Sequence, residues 1–308
     1  MGRSWIEFAN VQRTVTSSGT AGLMRRYLVS FMIVVLLGCS SAEKQKVSVN
    51  TILPSPTPKS PLADWTANPT RTPIEISVPG AMLRGWTFRA VAQSPQKLRI
   101  LFFNGNAMTI DGSQSLYRSL AVHGADVTVF DYRGYGFSTG KPDVMDFRRD
   151  ALVLYDSLAK DGPVVVYGFS LGTAIATYVA SQRKVAGLIL AGTIATAQEE
   201  FPVFAHAEGF GPEQIANMIP SQDALAAFNE IGLIATNQAP LLMLHGDADQ
   251  LVPIQQGREV FAASPVRQKT FVPIPGAGHN ETAGSPLALE AIHSFLSAVE
   301  STTSHPKT

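Results

Sequence analysis

The pentapeptide Gly168-Phe169-Ser170-Leu171-Gly172 carries the clearest chemistry in this sequence. A β-branched run, Val164-Val165-Val166, leads into it, and Thr173-Ala174-Ile175-Ala176-Thr177-Tyr178-Val179-Ala180 follows with a helical composition. A strand that turns sharply into a helix, with serine at the apex, forces that serine into a strained backbone conformation. Small residues two positions to either side let strand and helix approach closely. The hydroxyl then stands at the carboxyl edge of a sheet, beside the positive end of a helix dipole, where it can attack a carbonyl carbon.

Serine is a poor nucleophile alone; it needs a base, and the base needs a group that orients it. Gly276-Ala277-Gly278-His279-Asn280 places an imidazole just after an apolar run, and Asp247 and Asp249 follow another, Leu241-Leu242-Met243-Leu244-His245-Gly246. His245 reads as structural, and His123 and His206 as surface or packing residues. No histidine pair has the spacing of a zinc-binding helix, so no metal is expected, and Gly134, Gly136 and Gly140 are wrongly spaced for a dinucleotide. No cofactor is implied. Lys plus Arg equals Asp plus Glu, 24 each, which argues against a nucleic-acid partner. Asp131 and Arg133 read as an ion-paired loop brace rather than substrate contacts. Phe137, Phe201, Phe204 and Met218 suggest an apolar acyl pocket.

Those residues need a scaffold that gathers strand ends at one edge. Strands are expected at 74–78, 83–91, 98–103, 127–131, 164–167, 185–190, 240–244 and 269–274, with helices at 114–123, 144–159, 171–181 and 286–299. Continuous apolar strands alternating with helices predict an α/β fold: a mostly parallel central sheet flanked by helices on both faces. With 308 residues and 45% hydrophobic content the chain can bury a large core. Ligands of such sheets bind beyond the carboxyl ends of the strands. Residues 193–238 break the rhythm, either as a small helical cap insertion or as one crossover helix with long loops.

At these residues the chain resembles the α/β-hydrolase superfamily over 74–299. Asp131-Tyr132-Arg133-Gly134-Tyr135-Gly136-Phe137-Ser138-Thr139-Gly140-Lys141-Pro142 is similar to a loop of its compact branch, which includes depalmitoylases and relatives of monoacylglycerol lipases and serine aminopeptidases. The resemblance implies the α/β-hydrolase fold and a triad of Ser170, Asp249 and His279, Asp247 being the weaker acid. It implies an oxyanion hole from the backbone N–H groups of Leu171 and Asn106. Relatives carry His-Gly-Asn-Ala where this chain reads Asn104-Gly105-Asn106-Ala107. The implied function is hydrolysis of a small-molecule ester or acyl substrate, carboxylic ester or thioester, through an acyl-enzyme on Ser170. The rival readings are a serine peptidase of the same fold, with Glu199 and Glu200 recognising an amine, and a non-catalytic surface lipoprotein.

The amino-terminal region reads as export machinery. Met24-Arg25-Arg26-Tyr27 precedes an apolar stretch, 28–37, too short for a bilayer span of about 20 residues, and Gly38-Cys39-Ser40-Ser41 follows. Leu36-Leu37-Gly38-Cys39 resembles the lipobox of bacterial lipoproteins, in which the cysteine is lipidated and begins the mature chain. Cys39 is the single cysteine. Residues 1–38 are thus read as a lipoprotein signal peptide, starting at Met1 or Met24, and 39–73 as a Pro/Ser/Thr-rich linker. Residues 300–308 are read as a flexible tail. The resemblance implies a chain held to the bacterial envelope by the lipid on Cys39, at the outer membrane facing the periplasm.

Overall fold

The computed structural model describes residues 44–52, 59–91, 98–122, 124–207 and 209–303. Along the chain lie β1 (Gln45–Val47), α1 (Val49–Ile52), β2 (Arg71–Val78), β3 (Ala81–Phe88), β4 (Arg99–Phe103), α2 (Gln114–Ala121), β5 (Asp126–Phe130) and α3 (Val144–Leu158). Then come β6 (Val164–Phe169), α4 (Leu171–Gln182), β7 (Gly187–Ala191), α5 (Ala197–Ala207), α6 (Pro212–Ala216), β8 (Met218–Pro220), α7 (Gln222–Ala227) and α8 (Glu230–Ile234). The chain closes with β9 (Leu241–Gly246), α9 (Ile254–Ala263), β10 (Lys269–Ile274) and α10 (Pro286–Thr303). The expected signal segment 1–38, Cys39 and residues 304–308 of the tail lie outside the described residues.

Eight strands form one sheet in the order β10-β9-β7-β6-β4-β5-β3-β2. β2 and β3 form an antiparallel hairpin through Pro79 and Gly80, β3 pairs antiparallel with β5, and every other pairing is parallel. All six residues of β6 are buried, as are all six of β9. The period of two explains why an unbroken apolar run suits both faces. Val164 and Val166 join one core cluster with α3 and α4, while Val165, Tyr167 and Phe169 join the other with α2 and α10.

β2 starts at Arg71, ahead of the expected 74, because Arg71 pairs with Phe88 and stacks its guanidinium 3.5 Å over the Trp86 ring. The helix α9 was not anticipated. Its run of Gln255, Gln256, Gly257, Arg258 and Glu259 offers little apolar periodicity. Residues 193–238 hold four short helices and a strand, α5 to α8 with β8. Part of the stretch read as linker is built onto them. β1 pairs in parallel with β8, Ser48 Oγ donates to Asp223 Oδ2 at 2.6 Å, and Val47 packs with Phe201 and Ala205 of α5.

Candidate active site

β6 delivers Ser170 and α4 begins immediately after it. Ser170 adopts φ +53°, ψ −121°, a left-handed backbone that costs a non-glycine residue about 1–3 kcal/mol. Its N–H donates to the Ala191 carbonyl at 2.9 Å, which ties the turn to the end of β7. As the first residue of α4, Leu171 has no carbonyl one turn back in the helix to receive its N–H.

The loop after β4 passes beside this turn. The Asn104 side chain is fully buried; its Oδ1 accepts from Tyr117 Oη at 2.7 Å, and its carbonyl accepts from Tyr132 Oη at 2.8 Å. Two tyrosines thus pin the loop through Asn104. Asn106 follows, with Tyr135 Oη 3.3 Å from its Oδ1. Ala107 closes the turn at φ +60°.

β9 and β10 supply the remaining groups. Asp249 is buried in the loop after β9; its Oδ1 accepts from the N–H groups of Leu251 and Val252 at 3.0 and 2.8 Å. Its Oδ2 accepts from His279 Nδ1 at 2.7 Å. This bond leaves Nε2 as the basic nitrogen, and Nε2 is buried without a hydrogen-bond partner among the described residues. The imidazole lies beside Phe169, ring centroids 5.1 Å apart, and against Gly192, whose missing Cβ would stand 3.0 Å from His279 Cε1. Ser170 and His279 therefore flank the same two strand ends, those of β6 and β7. Asp247 is exposed and accepts from the Gly276 N–H at 2.7 Å, clamping the two loops without touching His279.

His245 holds the acid loop. Its Nε2–H donates to the Val252 carbonyl at 2.8 Å, and burial lowers its pKa, so it is neutral. Gly257 makes room for it, since a Cβ there would lie 2.4 Å from His245 Nδ1. Arg133 is ion-paired as expected, whereas Asp131 braces its loop through backbone hydrogen bonds and makes no salt bridge among the described residues. Asp131 accepts from the N–H groups of Ile110 and Phe137, and burial pushes its pKa up to about 6. Arg133 bonds both oxygens of Asp150 and reaches Asp146 at 2.8 Å. Phe137, expected near an acyl pocket, instead packs against Trp86 in the core, ring centroids 5.4 Å apart.

The insertion carries two buried carboxyls, Glu200 and Glu230, and the sequence points only to Glu200, paired with Glu199 as an amine contact. Glu199 is exposed, but Glu200 is 1% exposed and accepts from Gln256 Nε2 at 2.6 Å. Burial pushes the Glu200 pKa up to about 8, aided by the nearby Asp249 charge. Glu200 is therefore largely protonated at pH 7, a poor partner for a substrate ammonium. Because the folded value exceeds the unfolded one, its stabilising contribution is complete below about pH 4.5 and is lost as pH rises through about 8. Glu200→Gln is expected to flatten the fall in Tm between those limits; an unchanged Tm–pH profile would contradict the buried acid.

The family model described as alpha/beta hydrolase fold matches residues 99–234. An uncharacterized protein of Mycobacterium tuberculosis is 31% identical over 228 residues, spanning 70% of this chain and 75% of that one. The lysophosphatidylserine lipase ABHD12 of Macaca fascicularis is 31% identical over 226 residues, 65% of this chain and 56% of that protein. Among solved structures, Est1E from Butyrivibrio proteoclasticus with bound ferulic acid superposes with TM-score 0.60 at 18% identity, covering 74% of this chain and 99% of that one. The monoacylglycerol lipase of Paleococcus ferrophilus superposes with TM-score 0.53 at 19% identity, covering 71% and 98%. At those identities the two structures speak for the fold alone.

Proposed function

We propose that this chain, which belongs to the α/β-hydrolase superfamily, is a serine hydrolase that cleaves carboxylic esters or thioesters through an acyl-enzyme on Ser170. One observation carries the reading: the 2.7 Å bond from His279 Nδ1 to Asp249, which leaves Nε2 unpartnered among the described residues on an imidazole packed against Phe169, the residue before Ser170. In this mechanism Nε2 takes the Ser170 proton as Oγ attacks the acyl carbon. The backbone N–H groups of Leu171 and Asn106 receive the developing oxyanion. His279 then protonates the leaving group as its bond to the acyl carbon breaks; water, giving its proton to His279, attacks the acyl-enzyme, and the acyl–Oγ bond breaks as His279 returns that proton to Ser170. The lipase relative supports a lipid-derived ester as substrate.

A fluorophosphonate probe tests this directly. It is expected to label the folded protein, with the adduct mapping to Ser170; an unlabelled folded protein would favour a binding lipoprotein instead. Faster turnover of p-nitrophenyl esters than of aminoacyl anilides separates the esterase from a peptidase.

The proposal extends to location. The apolar stretch ending at Cys39 supports a lipid-anchored protein of the bacterial envelope, facing the periplasm from the outer membrane. Cys39→Ser is expected to move the protein from the membrane pellet to the soluble fraction. Retention in the pellet would sink the lipid anchor.

A further inference from the structure

Glu230 opens α8, yet its side chain is wholly buried against the helix that carries the nucleophile. The link is Thr173, in the first turn of α4. Its Oγ1 lies 2.7 Å from the Ser170 carbonyl oxygen and 2.9 Å from Glu230 Oε1. A hydroxyl has one proton to give. A carbonyl oxygen only accepts, so the threonine proton belongs to Ser170 if that contact is a hydrogen bond. The second contact then requires a proton on Glu230 Oε1.

Desolvation by burial is the largest influence on Glu230, and it favours that proton. Thr173 and Thr177 face Glu230 from α4; neither carries charge, though as donors their hydroxyls would favour its anion. Arg148 faces it from α3 and opposes that proton, its Nε and Nη2 buried without a hydrogen-bond partner among the described residues, but no ion pair joins the two; its Nη1 donates to the Ala226 carbonyl at 2.8 Å and its guanidinium stacks 4.5 Å over Tyr178. Glu200 faces it from α5 and, itself largely protonated at pH 7, offers no positive charge to hold an anion. Full burial without a short ion pair among the described residues disfavours the anion.

We infer that Glu230 is a positioning residue for Ser170: a neutral carboxylic acid that donates to Thr173 Oγ1 and so commits the threonine proton to the Ser170 carbonyl. The inference rests on Ser170 being the nucleophile. It gives the strained turn a second donor besides the Thr173 N–H, which reaches the same carbonyl at 2.8 Å. Hydrogen bonds in series polarise one another, so an acceptor role for Thr173 strengthens its donation.

Two readouts test it on the full chain. Infrared spectra with isotope-labelled glutamate are expected to show a protonated carboxyl at pH 7 that Glu230→Gln removes. Fluorophosphonate labelling gives the second. Glu230→Gln, which keeps a donor, is expected to label at the wild-type maximal rate. Glu230→Leu and Thr173→Val are expected to label about three- to tenfold more slowly with unchanged probe affinity, the size of one neutral hydrogen bond. Tm of each variant shows that it folds. An ionised Glu230, a Leu variant as fast as wild type, or a Gln variant as slow as Leu overturns the inference. A wild type that shows the protonated carboxyl yet never labels overturns the hydrolase reading, and the positioning role falls with it.

Discussion

Asp249→Asn is expected to lower kcat for a soluble p-nitrophenyl ester by about 10⁴ while leaving the fold intact. The direction follows from the acid's own hydrogen bonds. Oδ1 accepts two backbone N–H groups, from Leu251 and Val252. An asparagine must keep its oxygen there, because its amide nitrogen has no lone pair to offer those donors. The NH₂ group then replaces Oδ2 and points at His279 Nδ1. Facing a donor, Nδ1 must accept, and the ring proton moves to Nε2. That tautomer cannot take a proton from Ser170. Nitrogen-15 NMR of the imidazole reads the switch directly, and Tm reads the fold. Asp247→Asn is the control. Among the described residues its Oδ1 accepts from Gly276, a bond asparagine retains, so a loss of about threefold or less is expected. A larger loss at 247 than at 249 would overturn the assignment of the acid.

What could be read from residue order alone was whatever short-range chemistry decides. The Ser170 turn was legible because β6 is an unbroken apolar run and because glycine stands at 168 and 172. His279 and the two acids were legible because each follows an apolar strand. The ends of elements were less so: β6 runs on to Phe169, and α10 continues to Thr303 beyond the expected 299. Other features depend on tertiary partners. α9 was hidden by Gly257, a residue that weakens a helix; its reason is the His245 ring, which leaves no space for a Cβ. β1 is three residues long and exists only because β8 lies beside it. Glu200 and Glu230 look like surface charges in an insertion, and only packing shows them buried, where desolvation raises the pKa of both. Asn104 looked like a loss of the family's histidine; the two tyrosines that hold it come from α2 and from the loop after β5.

Gly172→Ala is expected to cost about 3 kcal/mol of stability, a fall in Tm of about 6–12 °C, and to slow fluorophosphonate labelling of Ser170 by about 10². The cause is distance rather than backbone conformation. A Cβ at 172 would stand 2.1 Å from the Phe103 carbonyl oxygen, 2.6 Å from its carbon and 2.8 Å from the Asn104 oxygen. All three are main-chain atoms at the end of β4, so no side chain can rotate out of the way. Either α4 lifts off the sheet or β4 retreats. The first moves Leu171 and the second moves the loop that carries Asn106, so each separates the two amides proposed to hold the oxyanion. Gly80→Ala gives the comparison. Gly80 has φ +77° with nothing within 4 Å of its missing Cβ, so its cost is conformational, about 1–2 kcal/mol, and labelling should be unchanged. Wild-type labelling in Gly172→Ala would mean that the close approach of β4 to α4 does not set the nucleophile's geometry.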